Sequence, residues 1–244
     1  MLMTPRSDKL TYKPDGNTPQ IERHCLTVRF IHWTVTLSTF LLIFTGFGQM
    51  PVYRRYMVDQ LPGMAWTSDF AVTLNLHYIA AAVLIFASVY HLVYHGLRRD
   101  FSILPRRGDL KQSYLIMKAI VTGGKEPPSH KYLAEQRLAY VFIAISIGVT
   151  IITGIFKVLK NMPSVSFSDG FLDGVTMLHN IGTFMVIFGI IAHLGAFIIK
   201  ENRKLLPGMF TGRVCLDYAE HRHPLWCDEL FSGKKGGDEE KLAG

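Results

Sequence analysis

The sequence predicts an all-α integral membrane protein. We expect a bundle of four membrane-crossing helices, both termini on the cytoplasmic side, and a cytoplasmic amphipathic segment between helices two and three. Of the 244 residues, 49% are hydrophobic, and the mean hydropathy is positive, at +0.21. The apolar residues are collected into four long stretches, while charged residues lie between and outside them. Such segregation is typical of helices that cross a bilayer.

Each predicted helix lies in a stretch without Asp, Glu, Lys or Arg. The uncharged stretches around the first, second and fourth helices contain 24, 28 and 26 residues, and about 20 suffice to cross the hydrocarbon core. The predicted helices cover residues 30–50, 70–97, 138–156 and 174–199. They form a membrane domain, 30–199, between an N-terminal tail, 1–29, and a charged C-terminal tail, 200–244.

Basic residues indicate the orientation. Of the 26 Lys and Arg residues, 22 lie in the N-terminal tail, in the segment 98–137 and in the C-terminal tail. The positive-inside rule therefore predicts that these three parts face the cytoplasm. Within the middle segment, residues 109–121 (DLKQSYLIMKAIV) predict a short amphipathic helix on the membrane surface. Anionic headgroups explain the formal charge of +7 better than nucleic acid does.

The three cysteines give no support to several cofactors that cysteine commonly binds. Cys25, Cys215 and Cys227 form neither a CxxC nor a CxxCH motif. Zinc, covalently attached c-type haem and an iron–sulfur cluster are therefore unsupported.

Histidines recur at a fixed interval in two predicted helices. His77 and His91 are 14 residues apart, and so are His179 and His193. Fourteen helical residues return to within roughly 40° of the same face after a rise of about 21 Å. With the predicted topology, His77 and His179 form an outer layer. His91 and His193 belong to an inner layer, together with His32 of the first helix.

Paired intramembrane imidazoles favour haem. A single membrane histidine is more often a hydrogen-bonding or pore residue, but five at paired depths indicate at least one metal centre. Two histidines on facing helices give a six-coordinate haem suited to electron transfer. Two such centres, about 20 Å apart, would conduct electrons across the membrane. Depth alone leaves His32 and His91 as alternative partners of His193.

The other histidines are expected to lie outside the hydrocarbon. His95, near Arg98, is expected to face the headgroups. Those in hydrophilic segments are expected to be solvated: His24, His130, His221 and His223. Glycines of the fourth helix, at positions 182, 189 and 195, would allow either close helix packing or space for a flat macrocycle.

Five segments carry a family resemblance that covers nearly the whole chain after residue 20. They are Arg29-Phe30-Ile31-His32-Trp33, LHYIAAAV at the start of the second helix, Lys131-Tyr132 to Gln136-Arg137, the His179/His193 pair, and His221-Arg222-His223-Pro224-Leu225-Trp226. The ordered set resembles the cytochrome b (gamma) subunit of membrane-bound formate dehydrogenase. It is more distantly similar to the cytochrome b subunits of hydrogenases and thiosulfate reductases.

The resemblance implies two haem b groups. It gives the outer haem the ligands His77 and His179, and the inner haem His32 and His193, with His91 as the alternative to His32.

The resemblance also implies a site that reduces quinone (menaquinone or ubiquinone) beside the inner haem, at His193, Glu135 and Gln136. The family pattern Tyr-Asn-Ala-Gly-Gln-Lys here reads Tyr132-Leu133-Ala134-Glu135-Gln136-Arg137. Gln136 can bond a quinone carbonyl. Glu135 either relays protons to the quinone or stabilises the start of the third helix through its dipole.

The implied function is electron transfer in a bacterial cytoplasmic (inner) membrane. The chain would anchor a dehydrogenase and pass electrons to quinone, without acting on formate itself. Its implied partners are an iron–sulfur (beta) subunit and a molybdopterin or tungstopterin catalytic (alpha) subunit. Two alternatives remain: a cytochrome b subunit of a hydrogenase or sulfur-compound reductase, and a haem-free membrane anchor or transporter.

Overall fold

The computed structural model describes residues 10–12 and 18–232. The remaining parts of the two predicted tails, 1–9, 13–17 and 233–244, lie outside the described residues. The described helices are α1 (Leu26–Gly48), α2 (Pro51–Arg55), α3 (Phe70–Arg98), α4 (Asp109–Thr122), α5 (Ala134–Leu159), α6 (Asp169–Gly195), α7 (Lys200–Arg203), α8 (Pro207–Thr211), α9 (Leu216–Arg222) and α10 (Pro224–Ser232). The described strands are β1 (Leu10–Tyr12), β2 (Pro19–Glu22) and β3 (Arg213–Cys215).

The predicted all-α membrane fold is confirmed. Within the described residues, four helices are long and apolar enough to cross a membrane: α1, α3, α5, and α6 with the 3₁₀ turn that follows it. Both α1 and α5 begin four residues before the predicted starts, at Leu26 and Ala134. Both helices therefore include charged residues at their N-terminal ends, because a helix can extend beyond the hydrocarbon core of the bilayer. Large apolar side chains on them, such as Phe86 at 71% and Leu92 at 68%, are exposed, as lipid contact requires.

Two compact units make up the chain. The first, called the helical unit here, comprises residues 26–99 and 147–184. In it α1 packs along α3, whose small buried residues include Ala80 and Ala87. Asp69 begins α3 by accepting hydrogen bonds at Oδ1 from the backbone N–H groups of Ala71 (2.9 Å) and Val72 (3.2 Å). This side-chain cap satisfies two donors that a helix start leaves unpaired.

The second, called the mixed unit, comprises residues 1–25, 100–146 and 185–244. Here β2 is the central strand of an antiparallel sheet and pairs with β1 and β3. Ile21 lies opposite Val214, and both contribute to a small core with Leu216, Ala219 and Trp226. The segment predicted as a charged tail is thus folded between residues 200 and 232. Its apolar residues are too few and too scattered for a membrane helix, yet together they cover one sheet face.

The amphipathic helix α4 has a buried side and an exposed apolar side. Ile116 is fully buried and contacts Leu133 just before α5. The exposed side carries Leu110 (77%), Tyr114 (67%), Met117 (44%) and Val121 (80%). Their spacing of four, three and four residues places them on one stripe of the helix.

A buried ion pair joins α4 to α5. Arg137 is 2% exposed and Asp109 is 3% exposed. Arg137 donates from Nε to Oδ2 of Asp109 (2.8 Å) and from Nη2 to Oδ1 (2.5 Å). The backbone N–H of Arg106 also donates to Oδ2, at 2.8 Å. Burial by itself would raise the pKa of Asp109, but these hydrogen bonds and the Arg137 charge outweigh burial and lower it.

Close packing of α6 against α5 explains why position 189 of α6 is a glycine. A Cβ on Gly189 would lie 2.8 Å from Cγ1 of Ile143 on α5, which is too close for a real side chain. Nearby, the rings of Phe142 and Phe188 meet edge to face at 5.9 Å between centroids. Of the two uses predicted for these glycines, the structure supports close packing at position 189.

Candidate functional site

His77 lies on α3 with one ring nitrogen engaged by α1. Its Nδ1 is 2.9 Å from Oγ1 of Thr45, a threonine that is completely buried. The ring also lies against the neighbouring Gly46, where a Cβ would be in van der Waals contact with Cε1 of His77, at 3.5 Å. The ring is therefore held at Nδ1.

His179 lies on α6 in the same arrangement with α5. Its Nδ1 is 2.9 Å from Oγ1 of Thr153. A Cβ on Gly154 would lie 3.5 Å from Cε1 of His179. Both rings also interact electrostatically with Lys157 on α5, and His179 interacts with His77. The helical unit thus brings together the two histidines predicted for the outer layer.

The two imidazole rings are suited to serve as the axial ligands of a haem. An imidazole that is hydrogen-bonded at Nδ1 presents Nε2 as its metal ligand, and metal-binding histidines usually have such a second-shell partner. Neither Thr45 nor Thr153 is among the predicted site residues. The sequence signal is the Thr-Gly dipeptide, which occurs within two membrane helices, at 45–46 and 153–154.

The three histidines of the predicted inner layer are divided between the units. His32 and His91 belong to the helical unit, and His193 belongs to the mixed unit. The His32 ring meets Trp33 edge to face at 5.3 Å, the His91 ring lies 4.5 Å from that of His95, and the His193 ring lies 6.1 Å from Phe197. The assignment of His32, rather than His91, as the partner of His193 stays a prediction.

The segment before α5 positions the predicted quinone residues. The backbone N–H of Leu133 donates to Oε1 of Gln136 at 3.1 Å, which is half of a capping box. The oxygen of Gln136 thus caps α5, and its amide nitrogen is the group that remains to donate to a ligand. Leu133, where the family pattern has Asn, is 1% exposed and packs against Ile116. The side chain of Leu133 therefore contributes to the hydrophobic core.

Glu135 lies in the first turn of α5. Its Oε2 is buried and has no hydrogen-bond partner among the described residues. The charges of Arg222, Glu126 and Arg137 act on it. A carboxylate in this position interacts favourably with the helix dipole, and its unbonded oxygen also leaves the proton-relay interpretation open.

Arg23 lies at the centre of an aromatic cluster that the sequence did not predict. It is 5% exposed, and its guanidinium carbon lies 5.3 Å from the ring of Trp226 and 5.5 Å from that of Tyr132. Its Nη2 donates to the carbonyl of Lys131. Burial lowers the pKa of Arg23 and raises the pKa of Tyr132 to about 12. The cluster connects the segment before α1, the segment before α5, and α10.

His223 is buried, so the expectation that it would be solvated is wrong. Its exposed fraction is 0%, and its Nδ1 lies 2.7 Å from the carbonyl oxygen of His130. Because a carbonyl only accepts, Nδ1 carries the proton. Burial, helped by the charges of Arg23 and Arg222, lowers the pKa of His223 to about 3. The surrounding core of the mixed unit excludes water from a segment that looks hydrophilic in sequence.

Acidification is therefore expected to loosen this segment. Between pH 6.5 and about 3 the unfolded segment binds a proton that the folded one does not, so stability falls as pH decreases through this window. The slope is up to about 1.4 kcal/mol per pH unit. His223→Asn keeps a donor for the His130 carbonyl but does not titrate. We expect hydrogen exchange of residues 216–232 to increase from pH 7 to pH 5, and less so in the variant. Equal pH dependence in wild type and variant would show that protonation of His223 is not what loosens this segment.

Apolar helices that carry histidines, each with one ring nitrogen hydrogen-bonded to a neighbouring helix, are features of a membrane cytochrome b. Residues 23–212 match the family described as prokaryotic cytochrome b561, and the chain belongs to that family. Haem b is the cofactor that this family implies. The chain is also 24% identical over 226 residues to a Haemophilus influenzae protein named "Formate dehydrogenase, cytochrome b556 subunit", covering 90% of this chain and 87% of that protein. The resemblance predicted from the sequence is confirmed.

Proposed function

We propose that this chain is a dihaem cytochrome b subunit that anchors a formate dehydrogenase and passes its electrons across the membrane to quinone. One observation carries the proposal: two histidines on different membrane helices each have Nδ1 2.9 Å from a buried threonine hydroxyl, in a chain of a haem b family. His77 and His179 would hold one haem. His193 would hold the other with His32, or alternatively with His91.

The chain's own residues orient the cofactor and keep water away. Haem iron bound between two imidazoles changes between its ferric and ferrous states and so carries one electron at a time. Helix-borne ligands with fixed rings limit the rearrangement that accompanies each redox change. If histidine supplied both axial ligands, no position would be left open for substrate, which favours electron transfer over catalysis at the iron.

The charge distribution supports both termini and α4 on the cytoplasmic side of a bacterial inner membrane. The exposed apolar stripe of α4 would then enter the headgroup region. Lys111 and Lys118, which lie beside this stripe, would contact anionic lipid phosphates.

The proposed electron donor, a formate dehydrogenase, is inferred from the name of the Haemophilus influenzae relative. An iron–sulfur subunit would meet the His77/His179 haem on the outer side and would receive electrons from a molybdopterin or tungstopterin subunit. A hydrogenase or sulfur-compound reductase would use an equivalent haem pair. Purification of the native complex, with identification of the associated subunits, separates these donors.

The quinone site would lie at the start of α5, on the cytoplasmic side. The amide nitrogen of Gln136 would donate to a quinone carbonyl, His193 would lie beside it, and Glu135 would exchange protons. If the donor acts outside and quinone takes its protons inside, turnover charges the membrane. Each charge moved across 100 mV conserves about 2.3 kcal/mol.

A spectroscopic experiment on the native complex tests this function. We expect two haem b per chain by pyridine haemochromogen, and reduction of both by a soluble menaquinol analogue. Gln136→Glu keeps an oxygen that caps Leu133 but loses the amide donor, whereas Gln136→Ala loses both. We expect both variants to slow quinol-driven haem reduction at least tenfold, with dithionite reduction unchanged. A wild-type complex without haem would contradict the function, and wild-type rates in Gln136→Glu would remove Gln136 from the quinone site.

A further inference from the structure

The same arrangement of side chains occurs twice in the helical unit. In each copy a Thr-Gly pair on one helix faces a histidine on another: Thr45-Gly46 with His77, and Thr153-Gly154 with His179. The distances from Oγ1 to Nδ1 are both 2.9 Å. A Cβ on either glycine would lie 3.5 Å from Cε1 and 3.9 Å from Nδ1 of its histidine. Equal geometry at two places so distant in sequence indicates a shared role.

The threonine hydroxyl protons are already used by the helix backbone. Oγ1 of Thr45 lies 2.8 Å from the carbonyl oxygen of Leu41, and Oγ1 of Thr153 lies 2.6 Å from that of Val149. A hydroxyl has one proton to donate, and each carbonyl only accepts. Each Oγ1 is therefore left as an acceptor towards its histidine.

Each threonine oxygen also faces the carbonyl three residues earlier in its own helix. Oγ1 of Thr45 lies 3.3 Å from the carbonyl oxygen of Leu42, and Oγ1 of Thr153 lies 3.2 Å from that of Thr150. With its proton directed to these carbonyls, the hydroxyl oxygen can only accept from the ring, which requires an N–H at Nδ1. Both rings therefore carry their proton on Nδ1, and both keep the lone pair of Nε2 for a metal.

We propose that Thr45 and Thr153 are matched positioning residues, which fix the tautomer of the two axial histidines and set the reduction potential of the haem between them. The inference rests on the proposed role of His77 and His179 as the ligand pair. An acceptor on Nδ1–H makes an imidazole a stronger donor to iron, and this stabilises the ferric state. Because the two contacts have the same length, the two threonines contribute equally.

Replacing either hydroxyl with a methyl group tests this role without changing side-chain shape. In Thr45→Val and Thr153→Val the ring loses its hydroxyl acceptor, while Thr45→Ser and Thr153→Ser keep it. The matched control is Thr34→Val on α1. Its hydroxyl donates to the carbonyl of Phe30 in its own helix, at 2.9 Å. All variants are measured in the purified native complex by spectroelectrochemical titration, haem analysis and electron paramagnetic resonance.

We expect each valine variant at 45 or 153 to shift the potential of one haem upward, by the same amount and with a changed low-spin ferric signal. The other haem and the serine and control variants keep wild-type values. The double variant is expected to shift twice as far, or to bind that haem 10–100-fold more weakly. Potentials equal to that of Thr34→Val, or a shift in only one of the two valine variants at 45 and 153, would overturn the inference. Because the wild-type complex must first show two haems, such a result would leave the dihaem function intact.

Discussion

Replacing His77 with alanine is expected to reduce the haem content from two per chain to one. The ring is the proposed axial ligand, its Nδ1 lies 2.9 Å from Oγ1 of Thr45, and alanine offers no substitute donor. His179→Ala should have the same result, since it removes the second proposed ligand of the same haem. Electron transfer from the outer donor to quinone should then fall by at least a hundredfold. Haem analysis and donor-driven quinone reduction by the native complex measure both effects.

Haem content in further variants distinguishes the two candidate partners of His193 at the inner haem. We expect His32→Ala and His193→Ala each to remove the second haem, while His91→Ala retains both. His95→Ala is the matched control, because its ring lies 4.5 Å from that of His91 on the same helix. If His32→Ala keeps two haems and His91→Ala loses one, the inner pair is His91 and His193. Retention of two haems in His77→Ala would contradict the outer pair.

The membrane helices and their histidines were predictable, because both depend on local sequence. A stretch without charges predicts a membrane helix at any position in the chain, and a 14-residue interval predicts a shared face from helix geometry alone. The pairing of His77 with Thr45 was not predictable in this way. It joins two helices across 32 residues, and the Thr-Gly dipeptide at 45–46 does not by itself indicate which histidine the threonine faces.

The parts that were missed depend on tertiary contacts of polar residues. His221-Arg222-His223 looks like a solvated segment, yet Arg222 and His223 are buried. Arg222 is accommodated by Glu126 at 3.0 Å and Asn202 at 2.7 Å. Likewise, α5 begins before its uncharged stretch because Arg137 finds a buried partner in Asp109. Charge in a sequence indicates exposure only where no such partner exists in the fold.

Replacing Arg137 with methionine is expected to destabilise the mixed unit by about 3–5 kcal/mol. Both members of its ion pair with Asp109 are almost fully buried, so the variant leaves a carboxylate without its partner. Arg137 also donates from Nη1 to the carbonyl oxygen of Tyr132 at 2.5 Å, so the segment before α5 loses an anchor as well. Thermal denaturation in detergent, followed by hydrogen exchange of residues 109–137, measures the loss.

A double-mutant cycle separates the ion pair from packing. Asp109→Asn should be nearly as damaging as Arg137→Met, whereas the double variant should recover much of the loss because no buried charge remains unpaired. Arg137→Lys, which restores the residue of the family pattern, keeps the charge but cannot form both hydrogen bonds with the carboxylate. It should fall between wild type and Arg137→Met. Additive losses in the double variant would mean that the two residues act independently.

The pH dependence provides a second test of the ion pair. The pKa of Asp109 is lowered in the folded protein, so its contribution is complete above the unfolded pKa of about 3.9 and disappears as pH falls through the folded value. Wild type should therefore lose stability more steeply than Asp109→Asn below pH 4. The effect of His223 extends from its unfolded pKa of about 6.5 down to its folded pKa of about 3. It therefore overlaps the range below pH 4, and the effect of Asp109 is best measured in a His223→Asn background. Equal slopes below pH 4 in that background would show that Asp109 is not the group whose ionisation holds α4 against α5.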